Sequence, residues 1–238
     1  PTTPSAPSGG FAVVPTVTGV TPPSGPVSQV VTISGTGFST TPGNNTVTFG
    51  SAGNGNVTAA SATSLTVTAP ATGSGAKAVT VTVNGQTSTT SATFTFIDKP
   101  IAANKPGVAV SYNSTGTAID LTASITGGPH SSIAIGTAPA HGTTSIAGDV
   151  VTYIPTAGYF GADSFTYTAT GRGGTSNIAT VSLTVATPPA PSVVGATAGI
   201  PYNSTGTAID LTSSITGVHT SIAVATAPAH GTVTVAGN

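Results

Sequence analysis

Residues 77–98 read KAVTVTVNGQTSTTSATFTFID, and the alternation within them indicates the fold class. In the first half valines alternate with threonines, so the valines share one face and the threonines take the other. Phe94 and Phe96 alternate with threonine in the second half. A period of two residues is typical of a β-strand with one buried face. The stretch therefore predicts two strands that place valine and phenylalanine in a core.

The composition of the whole chain favours the same structure. Its 238 residues include no Glu, Cys, Met or Trp, and Thr makes up about a fifth of them. Helices of soluble proteins draw on Glu, Lys, Leu, Gln, Arg and Met, which are scarce here. Thr and Val have stiff side chains that suit a pleated surface. We therefore predict an all-β protein.

The charge of the chain excludes one large class of partners. The net charge is −1 with only four cationic side chains, whereas nucleic-acid binding needs a basic stripe. No run of about eighteen apolar residues is present to span a bilayer, and Phe11–Val14 is too short for a signal-peptide core. We expect no nucleic-acid partner and no membrane insertion of this segment, with any export signal outside it.

The lack of Cys bears on the location of the protein. Small extracellular domains often rely on disulfides, so a Cys-free β chain rich in Thr and Gly favours a bacterial surface protein over an animal receptor. The low charge is unusual for a crowded cytosol, where net charge helps to keep proteins soluble. We predict an extracellular location or the bacterial outer surface.

Strand-like runs and proline-rich segments divide the chain. Short runs over 15–98, separated by predicted turns such as SAGNGN (51–56), are typical of a β-sandwich. The segment 97–106, IDKPIAANKP, interrupts them and indicates a domain boundary. The predicted organisation is a linker at 1–14, a sandwich at 15–98, a linker at 99–106, a second sandwich at 107–186, a linker at 187–191 and half of a third sandwich at 192–238.

The last two units are copies of one another. YNSTGTAIDLTASITG at 112–127 returns as YNSTGTAIDLTSSITG at 202–217, and TAPAHGT at 137–143 returns at 226–232. A period of about ninety residues fits tandem domains rather than a solenoid. The final copy has no counterpart of residues 149–185, which hold several strands and most aromatic residues of the unit. Its apolar face is expected to be covered by further chain or by another molecule.

Four motifs of the first sandwich carry a family resemblance. They are PTVTGVTPPSGP (15–26), VVTISGTGF (30–38), NTVTFG (45–50) and the closing AVTVTVNGQTS with ATFTF. In these motifs, residues 15–97 resemble the IPT/TIG family of immunoglobulin-like domains. Ser28 and Gln29 stand where the family usually has a Gly pair. The resemblance implies an immunoglobulin-like sandwich.

The second sandwich carries motifs of another kind. They are APAHGT (138–143), VVTYIPTAGYFGADSFTYTAT (150–170) and ATVSLTV (179–185). In these the unit resembles the bacterial immunoglobulin-like, cadherin-like tandem modules of large surface proteins, which implies a stalk, adhesin or autotransporter-passenger role. Many relatives place a calcium-binding Asp after YTAT, where this chain has GRGG (171–174). The expected fold is an array of tandem immunoglobulin-like β-sandwiches, the last one incomplete.

The residues available for catalysis are few. Without Cys or Glu, the acid and base groups are five Asp and four His. His130 and His141 recur as His219 and His230, so they belong to the architecture of the repeat rather than to one active site. No G-x-S-x-G motif is present to supply a nucleophile. We predict no enzymatic activity and no catalytic residues.

Calcium binding is also not expected, because it needs six to eight oxygens from clustered carboxylates and carbonyls. The Asp residues are isolated in the sequence, and Lys99 beside Asp98 opposes a divalent ion. Asp163 in GADSF is interpreted as the acceptor of backbone N–H groups in its own turn. We predict no metal site and no cofactor.

The aromatic residues of the second sandwich are interpreted mainly as core. Tyr167 lies where a Greek-key sandwich has a tyrosine corner, with its hydroxyl bonded to nearby backbone, and Phe165 alternates with it. Tyr159 and Phe160 are the best candidates for an exposed contact, although we favour packing at the end of the sandwich.

Three functions from different classes are compatible with this sequence. The leading one is a non-enzymatic stalk, spacer or adhesive module of a bacterial surface protein, with neighbouring modules of the same protein as partners. The second is a filament subunit whose incomplete third unit is completed by strands of another copy. The third is an accessory module of a secreted polysaccharide-active enzyme, which would bind surface or host glycans through a planar set of exposed aromatic residues.

The second function names candidate inter-chain contacts. The apolar FAVV segment is a possible donor strand, and the apolar positions of the third unit form the possible acceptor. The candidate residues are Phe11, Val13, Val14, Ile200, Ile209, Leu211, Ile215, Ile222 and Val224.

Overall fold

The computed structural model describes residues 13–236. Within this range the regular structure is β-strand with four short 3-10 helices. The all-β prediction is confirmed. None of the described residues lies in a helix that is long and apolar enough to cross a bilayer.

The first domain is a β-sandwich of nine strands. One layer has the order β1-β3-β6-β5 and the other β4-β7-β9-β2, with β8 paired to β7. Strand β5 pairs with both β4 and β6, so the two layers are continuous at that edge. Two 3-10 helices, Pro42–Asn44 and Gly50–Ala52, flank β4. The strands are β1 (Thr16–Thr21), β2 (Ser24–Gly25), β3 (Val30–Thr36), β4 (Asn45–Phe49), β5 (Asn54–Ala60), β6 (Ser64–Thr68), β7 (Gly75–Val83), β8 (Gln86–Thr87) and β9 (Ala92–Phe96).

The alternation in β7 and β9 builds the core of this domain, as predicted. Val79, Val81 and Phe94 are fully buried, while the intervening threonines face outward. Phe49 from β4 meets Phe94 edge to face, with ring centroids 5.6 Å apart. Burial of each such side chain stabilises the domain by about 1.5–3 kcal/mol relative to exposure.

Strand β5 lies partly where the sequence predicted a turn. The segment SAGNGN (51–56) has turn composition, but β5 begins at Asn54. Gly55 is a glycine because the backbone passes directly over the core: a Cβ here would lie 2.6 Å from Val67 Cγ1 and 2.8 Å from Phe49 Cε2. Glycine in a strand often marks such a close approach, and the prediction of a turn at this position is wrong.

The second domain contains ten strands in three sheets. The larger sheet has the order β11-β19-β17-β14, with β18 paired to β17, and faces the sheet β12-β16-β15. Strand β10 pairs with β13, and the 3-10 helix Thr122–Ser124 precedes β13. The strands are β10 (Pro100–Ala102), β11 (Lys105–Val110), β12 (Thr117–Asp120), β13 (Ile125–Gly127), β14 (Ser132–Ile135), β15 (Gly142–Ala147), β16 (Val150–Pro155), β17 (Gly161–Gly171), β18 (Gly174–Thr175) and β19 (Ala179–Val185).

The linker predicted over 99–106 is instead largely part of the second domain. Both β10 and the beginning of β11 fall within it. Pro100 is the first residue of its strand, and Pro106 lies where the register between β11 and β19 shifts. Proline is tolerated at the start of a strand and at an irregularity. Two prolines therefore indicated a linker where the chain forms two short strands.

The third unit, as far as the structure describes it (to residue 236), contains one strand pair of the repeat. Its strands are β20 (Ser192–Val193) and β21 (Ile215–Thr216), which correspond to β10 and β13, and the 3-10 helix Thr212–Ser214 precedes β21. Residues 207–210, 221–224 and 231–236 correspond to β12, β14 and β15 but are not strands. In the second domain those strands pair with β16 and β17, which have no counterpart in this chain. A segment with a strand-like pattern does not form a β-strand when no neighbouring strand is present to pair with it.

Candidate functional site

The turn of the APAHGT motif, which occurs in both repeats, is held by a carboxylate from another strand. Asp163 lies in β17, and its oxygens accept hydrogen bonds from the backbone N–H of Ala140 and of His141, each at 3.0 Å. The N–H of Ser164 adds a third at 2.8 Å. The prediction that Asp163 accepts backbone N–H groups is therefore right, but two of the three belong to a turn more than twenty residues earlier in the chain.

A tyrosine completes the environment of this carboxylate. Tyr153 projects inward from β16 and is fully buried. Its hydroxyl donates to Asp163 Oδ2 at 2.8 Å and lies 3.1 Å from the carbonyl oxygen of His141. The residue pattern alone does not reveal this role of Tyr153, which alternates with the buried Val151 in VVTYIP.

The titration of the pair reflects this geometry. Burial opposes ionisation of Asp163, but the hydrogen bonds from Tyr153, Ser164, His141 and Ala140 outweigh it and hold the pKa of Asp163 below its usual value. The pKa of Tyr153 is raised, first by burial and then by the adjacent carboxylate. At neutral pH the cluster is thus a carboxylate that accepts from a neutral phenol. Because four donors occupy its oxygens, the carboxylate stabilises the turn through hydrogen bonds.

An aromatic stack lies beside this cluster. The rings of His141 and Tyr159 are parallel within 7°, with centroids 4.0 Å apart. Tyr159 also packs against the core of the second domain, and its hydroxyl donates to the carbonyl of Ala162. Phe160 next to it is 53% exposed. Tyr159 thus packs at the end of the sandwich, whereas Phe160 presents its ring to solvent.

Tyr167 differs in one respect from the predicted corner. Its ring is buried, and its hydroxyl donates to the carbonyl oxygen of Ala103 at 2.7 Å. The acceptor is backbone, as predicted, but it lies 64 residues earlier in the chain. Burial raises the pKa of Tyr167 more than its hydrogen bonds to Ser124 and Ala103 lower it. The hydroxyl therefore stays protonated and anchors the segment after β10.

The other repeated histidine has a different partner. His130 Nε2 lies 3.0 Å from both carboxylate oxygens of Asp149, which is in the hairpin between β15 and β16. The two histidines of the second domain thus make separate contacts rather than one constellation. Within residues 13–236, no group of three or more His and Asp side chains gathers where a metal ion could bind.

The candidate inter-chain residues fall in two separate units. Phe11 lies outside the described residues. Val13 and Val14 precede β1, and Val13 lies beside Gly37 in the first domain. The remaining six belong to the third unit. Of these, Ile209, Leu211, Ile215 and Ile222 line one shallow depression together with His219.

The apolar residues of the third unit are more exposed than their counterparts in the second domain. Ile209 is 50% exposed, whereas its counterpart Ile119 is 1% exposed. Ile200 is 58% exposed, whereas Val110 is 3% exposed. In the second domain Val110 pairs with Val185 of β19 and Ile119 pairs with Val151 of β16, whereas the described part of the third unit contains no equivalent of these two strands.

Two family patterns match the chain. The IPT/TIG domain matches residues 15–96, and the bacterial Ig domain matches residues 97–184. Both resemblances drawn from the motifs are thereby confirmed. The second match begins before β10, in agreement with the assignment of that strand to the second domain. The sequence matches none of the curated proteins with which it was compared.

Several solved structures share similarity with the chain. A structural genomics protein from Bacteroides thetaiotaomicron VPI-5482 is 17% identical, with a TM-score of 0.35, and the match covers 68% of this chain and 47% of that one. A gamma-CGTase from Alkalophilic bacillus clarkii is 22% identical, with a TM-score of 0.33 and coverages of 69% and 24%. The I67–I69 fragment of titin is 16% identical, with a TM-score of 0.38 and coverages of 76% and 65%. The chain therefore spans less than two thirds of each of these structures.

Proposed function

The chain carries an IPT/TIG domain followed by a bacterial Ig domain, and from this we propose that it is a non-enzymatic extracellular module, a stalk or spacer of a bacterial cell-surface protein. Its partners are then the neighbouring modules of the same protein.

One structural observation carries this proposal. The two domains have separate hydrophobic cores, one built from β1–β9 and the other from β10–β19, and no buried residue belongs to both. The chain leaves the first domain through β9 and enters the second through β10 with only residues 97–99 between them. Closed sandwiches connected in series are suited to setting a distance between their ends.

Immunolabelling of the cells that produce the protein tests the location. Antibodies raised against the 238-residue chain are applied to intact and to permeabilised cells, with a cytosolic protein as the control. We expect labelling of intact cells and its loss after brief protease treatment of the cell surface. Labelling that requires permeabilisation would contradict the proposal.

A second candidate function, a filament subunit, is favoured by the exposed apolar residues of the third unit. In this case strands from another copy would cover residues such as Ile209 and Leu211 by β-augmentation. Sedimentation of the purified chain over a range of concentrations tests it. Growing assemblies that dissociate in the variant Ile209→Asn/Leu211→Asn would support a filament, and a monomer at all concentrations would eliminate it.

The glycan-binding alternative has less support in the structure. It requires several exposed aromatic rings on one face. Among the described residues, the aromatic side chains with large exposure are Phe160 at 53% and Tyr202 at 95%. They lie in different units, so they do not form a common platform within one sandwich.

A further inference from the structure

The connection between the first two domains is held by one backbone hydrogen bond on each side. On the first side, the N–H of Ile97 donates to the carbonyl oxygen of Gly25 at 2.8 Å. On the second side, the N–H of Gly128 donates to the carbonyl oxygen of Lys99 at 3.1 Å. Asp98 is thus the one residue between the last hydrogen bond of one domain and the first of the next. A connection of this length has almost no freedom to bend.

Two glycines of the second domain lie directly against the backbone of Asp98. Gly128 follows β13, and Gly173 lies in the turn between β17 and β18. A Cβ on either glycine would overlap the carbonyl oxygen of Asp98. The backbone of the connection therefore lies directly against the backbone of two loops of the second domain. Such packing leaves no room for a side chain at either position.

The two glycine loops are themselves packed together. A Cβ at Gly171 would overlap the carbonyl oxygen of Pro129, so the β17–β18 turn lies against the β13–β14 loop. The GRGG sequence (171–174) thus has a packing role here.

Side chains fix the strand that follows. The Asn177 amide donates to the carbonyl oxygen of Ala102 at 2.8 Å, and its Oδ1 accepts from the N–H of Ala102 at 3.1 Å. The Tyr167 hydroxyl holds the next carbonyl, that of Ala103. On the other side of the connection, the Arg172 guanidinium lies 3.4 Å from Ser24 Oγ in the first domain. The second domain therefore contacts the segment that follows the connection, and its Arg172 also contacts the first domain.

The next connection along the chain is built differently. The last hydrogen bond before it joins the N–H of Ala186 to Val110, and β20 begins at Ser192. The five residues TPPAP lie between them. The loop that holds Gly128 in the second domain is one residue shorter in the third unit and carries Val218 after its glycine. Gly217 still lies against the backbone of Ala190 and Pro191, but with Val218 in place of Gly128 the close contact that Gly128 makes with Asp98 is not repeated at 187–191.

We propose that residues 97–99, held by Gly128 and Gly173, form a fixed joint that makes the first two domains move as one rigid body. The joint keeps its role whether or not the array lies on a cell surface. If the joint proves flexible, the proposed location on the cell surface is unaffected. If the location proves wrong, the proposal of a fixed joint is likewise unaffected.

Distance measurement between two spin labels tests the joint in the full chain. The sequence has no Cys, so the substitutions Thr93→Cys and Ser145→Cys at exposed strand positions give one label in each domain. We expect a single narrow distance distribution by double electron–electron resonance. Insertion of Gly-Ser-Gly-Ser between Asp98 and Lys99 should broaden it by roughly twofold or more, because a flexible linker replaces the pinned one.

A substitution separates packing from linker length. Gly173→Val should also broaden the distribution, whereas Gly43→Val, at a position with nothing near its Cβ, should not. Tyrosine fluorescence shows whether the second domain of each variant folds, and if Gly173→Val does not fold, the insertion variant alone decides. A distribution in the unmodified joint as broad as that of the insertion variant would overturn the proposal.

Discussion

The Tyr153 hydroxyl lies 2.8 Å from Asp163 Oδ2, and this contact joins the two facing sheets of the second domain at one end. Tyr153 belongs to the sheet β12-β16-β15, and Asp163 belongs to the sheet β11-β19-β17-β14. The same carboxylate fixes the APAHGT turn between β14 and β15. One side chain thus contacts both the turn and the facing sheet.

Replacement of this carboxylate should destabilise the second domain. In Asp163→Asn, an amide NH2 would face either the N–H of His141 or that of Ala140, so a donor would oppose a donor. We expect a loss of about 2 kcal/mol in the free energy of unfolding, as for hydrogen bonds to a charged group. All five Tyr lie at or beyond residue 112, so urea unfolding followed by tyrosine fluorescence monitors this part of the chain.

Asp120→Asn is the matched control for that measurement. Asp120 is exposed, and its contacts are with Thr122, which lower its pKa. Its replacement should leave the free energy of unfolding nearly unchanged, because the side chain is exposed. Equal effects of the two substitutions would show that Asp163 is not a special anchor.

The contribution of Asp163 should depend on pH. Because hydrogen bonds lower the pKa of Asp163 in the folded protein, the unfolded chain, in which Asp titrates near pH ~4, binds the proton more tightly. The stabilisation is therefore fully present above about pH 4 and is lost as the pH falls through the lower folded-state pKa. The unfolding midpoints of the wild type and Asp163→Asn should converge in acid, and a constant separation from neutral to acidic pH would contradict this.

Asn45 should be important for the first domain. It is the buried polar residue of the described chain, and its Nδ2 donates to the carbonyls of Ser39 and Thr41 while its Oδ1 accepts from the N–H of Ser39. Asn45→Ala should lower the free energy of unfolding by about 2 kcal/mol, because buried backbone groups of the loop lose their partners. Calorimetry of the full chain measures this, and a lower melting temperature of the second domain instead would contradict the assignment.

Gly55 should not tolerate a side chain. In Gly55→Val the new methyl groups would collide with Val67 and Phe49 in the core, and overpacking of this kind costs about 1–3 kcal/mol. Gly43→Val adds the same side chain where nothing lies nearby, and it should leave the melting temperature nearly unchanged. Similar melting temperatures for both variants would mean that β5 relaxes away from the core.

Much of the fold could be predicted because its strands carry their own periodicity. The runs that became β7, β9, β16, β17 and β19 alternate strongly, and their inward residues form the two cores. The short strands β2, β10, β13 and β18 could not be predicted, since two or three residues show no period. Strand β5 was missed because its Asn and Gly residues have the composition of a turn.

The candidate site was predicted only in its parts. The sequence predicted that Asp163 accepts hydrogen bonds from backbone N–H groups and that Tyr159 packs at the end of the sandwich, because both lie in a turn-rich segment. It could not pair Asp163 with the turn at 140–141 or with Tyr153, since those contacts depend on the register between strands. The fixing of Asp98 by Gly128 and Gly173 is likewise a relation between segments far apart in the chain.

The sequence by itself determined that this protein is all-β, that it consists of an IPT/TIG-like unit followed by repeated immunoglobulin-like units, and which faces of its longer strands are apolar. These properties are local, because they depend on the composition and period of each segment. Only the tertiary structure decided which of those segments are strands. Residues 117–120 and 207–210 have the same sequence, TAID, yet the first are strand β12 and the second are not. A β-strand takes its hydrogen bonds from a neighbour, and only the first copy has β16 beside it.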